Sequence, residues 1–190
     1  MRMFAALLPP QSALEDLAEF LAPRQEAGGD LRWTQEEQWH ITLAFMAEIP
    51  ERAVERVIDG IADTAATRAP FTLSLAGAGA FPHPHDARVL WTGVSGDETA
   101  LSALSGLARG VRRACTHGGG APAGGRFRGH GPLARARRPL EATRWLRVLE
   151  AYAGPSWSAD EVTVIASHLG EGRGGRPRYE HLAAAPLAGR

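Results

Sequence analysis

The chain has 190 residues, a formal net charge of zero and 44% apolar residues, enough to bury a core, and its one cysteine, Cys115, excludes an internal disulfide framework and a Cys-rich zinc site. The apolar run in residues 1–10 is too short for a signal or membrane segment, so the expectation is a soluble cytoplasmic protein with no membrane partner; a monomer is expected separately. The zero charge hides a division, because residues 1–100 hold seven Arg against fifteen acids and residues 101–190 hold fourteen Arg against six.

In chain order, residues 3–8 read as an opening strand, and Pro9-Pro10 end it and open a helix to about Ala22, with Leu14, Leu17, Phe20 and Leu21 at helical spacing. Gly28-Gly29 close that unit. Residues 31–33 form a short strand, and residues 35–38 turn into the central strand, residues 40–45. Pro50 opens a second helix with Val54, Val57, Ile58 and Ile61 as its apolar stripe. Residues 71–76 alternate as a strand that runs out into Gly77-Ala78-Gly79, and residues 89–94 are its partner across the loop 82–86. A third helix covers residues 97–113, with Leu101, Leu104, Leu107 and Val111 inward.

Residues 116–125 are Gly-rich and read as a mobile connection. A strand-like stretch 127–137, a helix 140–151 with Trp145, Leu146 and Leu149 inward, a strand 162–169, a Gly/Arg loop 170–177 and a last strand 179–184 complete the chain. Strands and helices alternate without regular βαβ spacing, which predicts an α+β fold of largely antiparallel sheet with helices on the outer faces.

Every basic residue is Arg; ten of them, against the single acid Glu141, lie between Arg109 and Arg147. Such a field attracts anionic substrates, although a solvated face would look the same, and base composition of the gene can also favour Arg.

The stretch His40-Ile41-Thr42-Leu43-Ala44-Phe45 carries the chemistry. Side chains two apart on a strand share a face, so His40 and Thr42 stand together while Ile41 and Leu43 turn to the core. An imidazole that titrates near neutrality beside a hydroxyl donor is half of an acid–base site, or else one polar face of a solvated strand. A counterpart lies in the second half: Phe127-Arg128-Gly129-His130-Gly131-Pro132-Leu133-Ala134-Arg135. His130 matches His40, Leu133-Ala134 match Leu43-Ala44, and Pro132 falls where Thr42 does.

With these motifs the chain resembles the 2H phosphoesterases, and among them the bacterial RNA 2′,3′-cyclic phosphodiesterases, also called 2′-5′ RNA ligases. The likeness extends through Arg32-Trp33, Gly77-Ala78-Gly79-Ala80-Phe81-Pro82, Arg88-Val89-Leu90-Trp91, Ser167-x-Leu169 and Tyr179. It implies a bilobal, pseudo-symmetric fold: two intertwined lobes in one domain over residues 1–190, with two antiparallel sheets facing a central cleft. It implies hydrolysis of RNA ends or cyclic nucleotides without a metal or other cofactor. His40 would be the proton donor, His130 the proton acceptor, Thr42 and Arg135 the phosphate contacts, and Phe45 a base-stacking platform.

The chain departs from the family at Pro132, where a threonine is the pattern. Proline has neither hydroxyl nor N–H and is rare in a central strand, so a weakened enzyme is expected, with Thr42 and Arg128 or Arg135 taking more of the phosphate contact. The alternative is a nucleotide- or RNA-end-binding module that has lost turnover; a third reading is action on another cyclic phosphate. Strict alternation puts Phe45 and Arg135 on the face opposite their histidines, so their roles require the strand to bend there; otherwise Phe45 is core and Arg135 surface. His83-Pro84-His85-Asp86 reads as a solvated loop rather than a metal site, His117 and His181 have no visible partner, and Cys115 reads as a core or helix-end residue. Residues 173–178 read as a flexible hairpin tip or a weak RNA contact, and His168, beside Ser167 on the last motif strand, as structural or else as lining the cleft.

Overall fold

The computed structural model describes residues 1–27 and 29–189; the expected helix stop at Gly28 falls outside them. One antiparallel sheet has the order β3-β1-β8-β9, formed by β1 (Met3–Leu7), β3 (Ile41–Met46), β8 (Glu161–His168) and β9 (Arg178–Pro186). The other has the order β2-β6-β5-β4-β7, formed by β2 (Leu31–Trp33), β4 (Phe71–Phe81), β5 (Ala87–Ser95), β6 (His130–Leu140) and β7 (Trp157–Ala159). Each sheet takes strands from both halves of the sequence. The α+β architecture expected from the alternation is therefore present, but neither sheet is one half of the chain.

Period-2 patterning explains why the first sheet has two distinct faces. In β1, Met3, Ala5 and Leu7 point into the main core, while Phe4 and Ala6 turn the other way, join Ile165 of β8 and form a separate small cluster. Leu8, Phe45 and Tyr179 pack on that cluster. It is the floor on which the first histidine rests.

Four helices pack against the sheets. α1 (Gln11–Ala27) buries Ala13, Leu17 and Leu21 and runs five residues beyond the expected end. Pro23 lies inside it, and Arg24 Nη1 donates to the Phe20 carbonyl (2.8 Å) in the turn that proline disturbs. α2 (Glu51–Ala66) buries Ala53, Val57, Ile61 and Ala65, leaving Val54 and Ile58 half-buried beside the stripe. α3 (Glu98–His117) starts at Asp97, whose carboxylate accepts from the Ala100 N–H at 2.7 Å as an N-cap. Its inner face is Ala100, Leu104, Leu107, Ala108, Val111 and Cys115; Leu101, expected inward, is exposed. α4 (Thr143–Leu149) buries Leu146 and Leu149, while Trp145 is half-buried with its ring edge-on to Trp33.

Two expectations need correction. Residues 116 and 117 belong to α3, and the Gly-rich segment after it is tied down rather than loose. The Gly119 and Gly120 amides donate to the Thr116 and Cys115 carbonyls, and the Ala123 amide donates to the Phe45 carbonyl at 2.7 Å. A Cβ on Gly120 would lie 2.5 Å from Met46 Sδ, so glycine there lets the segment press on the edge of β3. The strand expected at 127–137 begins at His130, and β7 was not foreseen: it is three residues paired to the start of β4.

Candidate active site

His40 precedes β3 directly, after the 3-10 turn at Glu36–Gln38. Its Nδ1 lies 2.7 Å from the carbonyl of Gln38. His130 opens β6, and its Nδ1 lies 2.8 Å from the carbonyl of Arg128. A carbonyl only accepts, so each Nδ1 carries the proton and each Nε2 is left for proton exchange. The two motif histidines are thus anchored by the same contact, to the residue two places upstream.

The two motifs also meet. A Cβ on Gly131 would sit 3.5 Å from the backbone oxygen of His40, ordinary contact distance. The charge of His130 reaches His40. Burial, opposed by the Gln38 contact and reinforced by that charge, lowers the His40 pKa to about 4. Aromatic rings hold both imidazoles. Phe4 stacks on His40 with ring centroids 4.5 Å apart, and Tyr179 meets it edge-on at 5.6 Å. Phe81 and Trp91 meet His130 edge-on at 5.2 and 5.8 Å. Gly79 makes the second arrangement possible, since a Cβ there would fall 1.9 Å from the Trp91 indole.

Bulges in β3 and β6 resolve where Phe45 and Arg135 point. In β3, Ala5 pairs with Ala44 but Ala6 pairs with Thr42, leaving Leu43 as an extra residue. In β6, Leu90 pairs with Ala134 but Trp91 pairs with Pro132, leaving Leu133 extra. An inserted residue reverses the alternation beyond it. Leu43-Ala44 and Leu133-Ala134 therefore both face the core, and Phe45 and Arg135 return to the face of Thr42 and Pro132. The placement expected from strict alternation is overturned at both positions. Phe45 packs on the floor cluster, and the Arg2 guanidinium lies 4.4 Å over its ring. Thr42 is half-buried on the same face, opposite Ala6.

Arg135 is exposed, and its charge reaches Tyr179. Burial raises the Tyr179 phenol pKa against the opposing pull of Arg2 and Arg135. Pro132 is tolerated because β2 pairs with β6 only at Leu31–Trp33 against residues 134–136. At Pro132 the strand has β5 on one side and no ladder partner from β2 on the other.

Arg2, Phe4 and Arg112 were missed in the sequence. Arg2 and Phe4 alternate with core-facing Met3, a signal that a polar–aromatic pair shares one face of β1. Arg112 carries no local signal: its Nε donates to the Leu43 carbonyl at 3.0 Å and its Nη1 to the Gly125 carbonyl at 2.8 Å. It thus ties the β3 bulge to the segment that leads into the second motif. The remaining candidates fall elsewhere. Exposed His85 lies 3.3 Å from Glu141, His168 bonds Glu180 at 2.8 Å, and Cys115 is buried, with burial raising its thiol pKa to about 11. No helix among the described residues is long and apolar enough to cross a membrane.

A family model described as LigT like phosphoesterase matches residues 7–91. An RNA 2′,3′-cyclic phosphodiesterase of Geobacillus stearothermophilus is 34% identical over 160 residues, 83% of this chain and 48% of that protein, so the chain spans about half the length of that relative. An RNA 2′,3′-cyclic phosphodiesterase of Aeropyrum pernix is 33% identical over 138 residues, covering 73% of this chain and 76% of the relative. Among solved structures, TT0787 of Thermus thermophilus superposes with a TM-score of 0.80 at 25% identity over 100% of both chains. E. coli LigT complexed with phosphate gives 0.69 at 25% identity over 98% of this chain and 96% of that one. With paired histidine motifs on matching bulged strands and an archaeal relative aligned over three quarters of its length, the chain belongs to the LigT-like phosphoesterases of the 2H family.

Proposed function

We propose that the chain hydrolyses the 2′,3′-cyclic phosphate of RNA ends or nucleosides to a 2′-phosphate, as a cytoplasmic monomer. The observation that carries this reading is the matched pair of imidazoles, each with Nδ1 held by a backbone carbonyl and Nε2 left for proton exchange. Hydrolysis needs a base to take a proton from water and an acid to protonate the leaving oxygen. Water forms the new P–O bond as its proton passes to His130. The P–O3′ bond breaks, and O3′ takes a proton from His40. A 5′-hydroxyl in place of water gives a 2′-5′ linkage by the same transfers. Thr42 and Arg135 would contact the non-bridging oxygens, where charge builds up in the transition state.

Burial keeps His40 neutral near pH 7 in the open cleft. Its role as donor therefore relies on the substrate's anionic phosphate to favour the imidazolium. A pH profile separates the roles. If His40 donates, kcat/KM falls as pH rises above about 4; if it accepts, kcat/KM falls as pH drops below about 4.

Pro132 favours a second reading, a nucleotide- or RNA-end-binding module on the same fold, because it supplies no donor where a threonine hydroxyl would stand. Incubation of the protein with a 2′,3′-cyclic nucleotide and a chelator decides between the two. A 2′-phosphate product that H40A abolishes supports hydrolysis; saturable binding with no product supports the module.

A further inference from the structure

Arg112 belongs to α3 rather than to either motif strand, yet it bonds to the segments that carry both motifs. β3 is the edge strand of its sheet, so a carbonyl that β1 does not use needs a partner from elsewhere. The carbonyl of Leu43, the extra residue of the β3 bulge, accepts from Arg112 Nε at 3.0 Å. Nη1 of the same guanidinium donates to the Gly125 carbonyl at 2.8 Å. We propose that Arg112 is a positioning residue for the proton transfers: by clamping the β3 bulge to the segment that leads into the second motif, it fixes His130 against His40. The inference rests on reading those two imidazoles as the reacting pair.

The second motif depends on such a hold. Residues 126–129 belong to no helix or strand. Among the described residues, the segment 124–129 makes only two hydrogen bonds to the rest of the chain, from the Gly125 carbonyl to Arg112 and from the Arg128 carbonyl to His130. The second of these is the contact that holds His130 Nδ1. The Arg128 carbonyl is placed no better than the chain that carries it, and that chain is fixed three residues upstream by Arg112. Packing adds to the grip. Phe127 lies against the core with the Arg112 guanidinium 5.8 Å from its ring, and a Cβ on Gly129 would stand 3.1 Å from Leu104 Cδ2.

The two histidines differ in this respect. His40 Nδ1 is anchored to the Gln38 carbonyl, upstream of the bulge and without Arg112. Loss of the clamp therefore reaches His130 first. Arginine suits the task because its planar fork sends Nε and Nη1 in different directions, one to each carbonyl, whereas lysine gathers its donors on one nitrogen. Among the described residues, no carboxylate lies within ion-pair distance of Arg112, so the two carbonyl oxygens are what its half-buried charge meets.

The test compares R112M and R112K with the unaltered protein on a 2′,3′-cyclic nucleotide. R112M should lower kcat about ten- to hundredfold while KM moves less than about threefold, because a misplaced imidazole costs rate rather than binding. R112K keeps the charge and reaches one carbonyl, so its kcat should fall between. Long-range proton–nitrogen NMR of the imidazoles gives a second readout: in R112M the His130 proton should average over both ring nitrogens while His40 keeps its Nδ1–H signature. An unchanged kcat in R112M, a KM rise that accounts for the whole loss, or equal loss of signature at both histidines overturns the proposal. Where R112M does not fold, R112K decides, and an unaltered kcat with an unaltered His130 signature overturns it. If the unaltered protein turns over no cyclic nucleotide, the hydrolytic reading fails, and NMR alone tests the clamp. A changed His130 beside an unchanged His40 upholds it, and an unchanged His130 overturns it.

Discussion

Leu43 and Leu133 hold the same place in two strands: each is the extra residue of a bulge three positions after a motif histidine. Each bulge turns the second following side chain, Phe45 or Arg135, onto the histidine's face. The first strand then offers an aromatic ring and the second a guanidinium, each on the face of its own motif histidine. Charge-assisted hydrogen bonds are worth about 1.5–3 kcal/mol, so R135A should lower kcat/KM for a 2′,3′-cyclic nucleotide roughly ten- to hundredfold. R135K should recover part of this, because an ammonium restores charge without the fork. Steady-state kinetics with an unchanged R135A value would show that the bulge does not aim Arg135 at the substrate.

Those bulges also mark the limit of what sequence patterning conveys. His40 and Thr42 could be placed on one face because alternation holds between them, and the core positions of Ile41 and Leu43 followed. Alternation fails at Leu43-Ala44 and Leu133-Ala134, where two apolar neighbours both face inward; that repeated Leu-Ala step is the only written trace of the insertion. The contacts that join distant segments leave no local trace at all. Arg112 finds the Leu43 carbonyl 69 positions away, and Arg32 finds Gly174 from 142 positions away. The first helix errs in the opposite sense, since α1 continues past the expected end near Ala22, through Pro23, to Ala27.

Stability should depend on His40 at mildly acid pH. Its folded pKa of about 4 lies below the usual 6.5, so between those values the unfolded chain binds more protons than the folded one. The contribution is therefore fully present above about 6.5 and is lost as pH falls through 4. The gap corresponds to about 3 kcal/mol. Urea unfolding at pH 7.5 and pH 4.5 should show a smaller loss for H40Q than for the unaltered protein, by about 2–3 kcal/mol. Equal losses would mean that the buried imidazole does not resist protonation.

Restoring the absent hydroxyl is the direct test of the second motif. Pro132 is half-buried on the cleft face, at a point where β6 has no ladder partner from β2, so threonine can be accommodated without an unpaired strand interior. Loss of one transition-state donor costs on the order of 10²–10³ in rate, and P132T should regain a part of that in kcat. T42V, which removes the matching hydroxyl of the first motif, should lower kcat in the same manner. An unchanged or lower rate in P132T, with the fold intact by circular dichroism, would show that the second motif does not work through a hydroxyl at this position.

Gly79 supports His130 from one step away. A methyl group at this position would lie 1.9 Å from Trp91 Cζ2 and 2.4 Å from Cε2, so G79A cannot be accepted unless the indole moves. Trp91 stands beside both Phe81 and His130, and displacing it disturbs the packing that fixes the imidazole. Overpacking of this kind costs about 1–3 kcal/mol. G79A should therefore lower the unfolding midpoint, shift the near-ultraviolet circular dichroism of the tryptophans and reduce kcat more than it raises KM, because the ring it disturbs abuts His130, the proposed proton acceptor, rather than Arg135 or Thr42. A second substitution, W91F, makes room for the methyl group; it should restore stability to G79A while kcat stays low if the indole is what orients His130. Full activity in G79A would show that the imidazole is held by its Arg128 carbonyl contact alone.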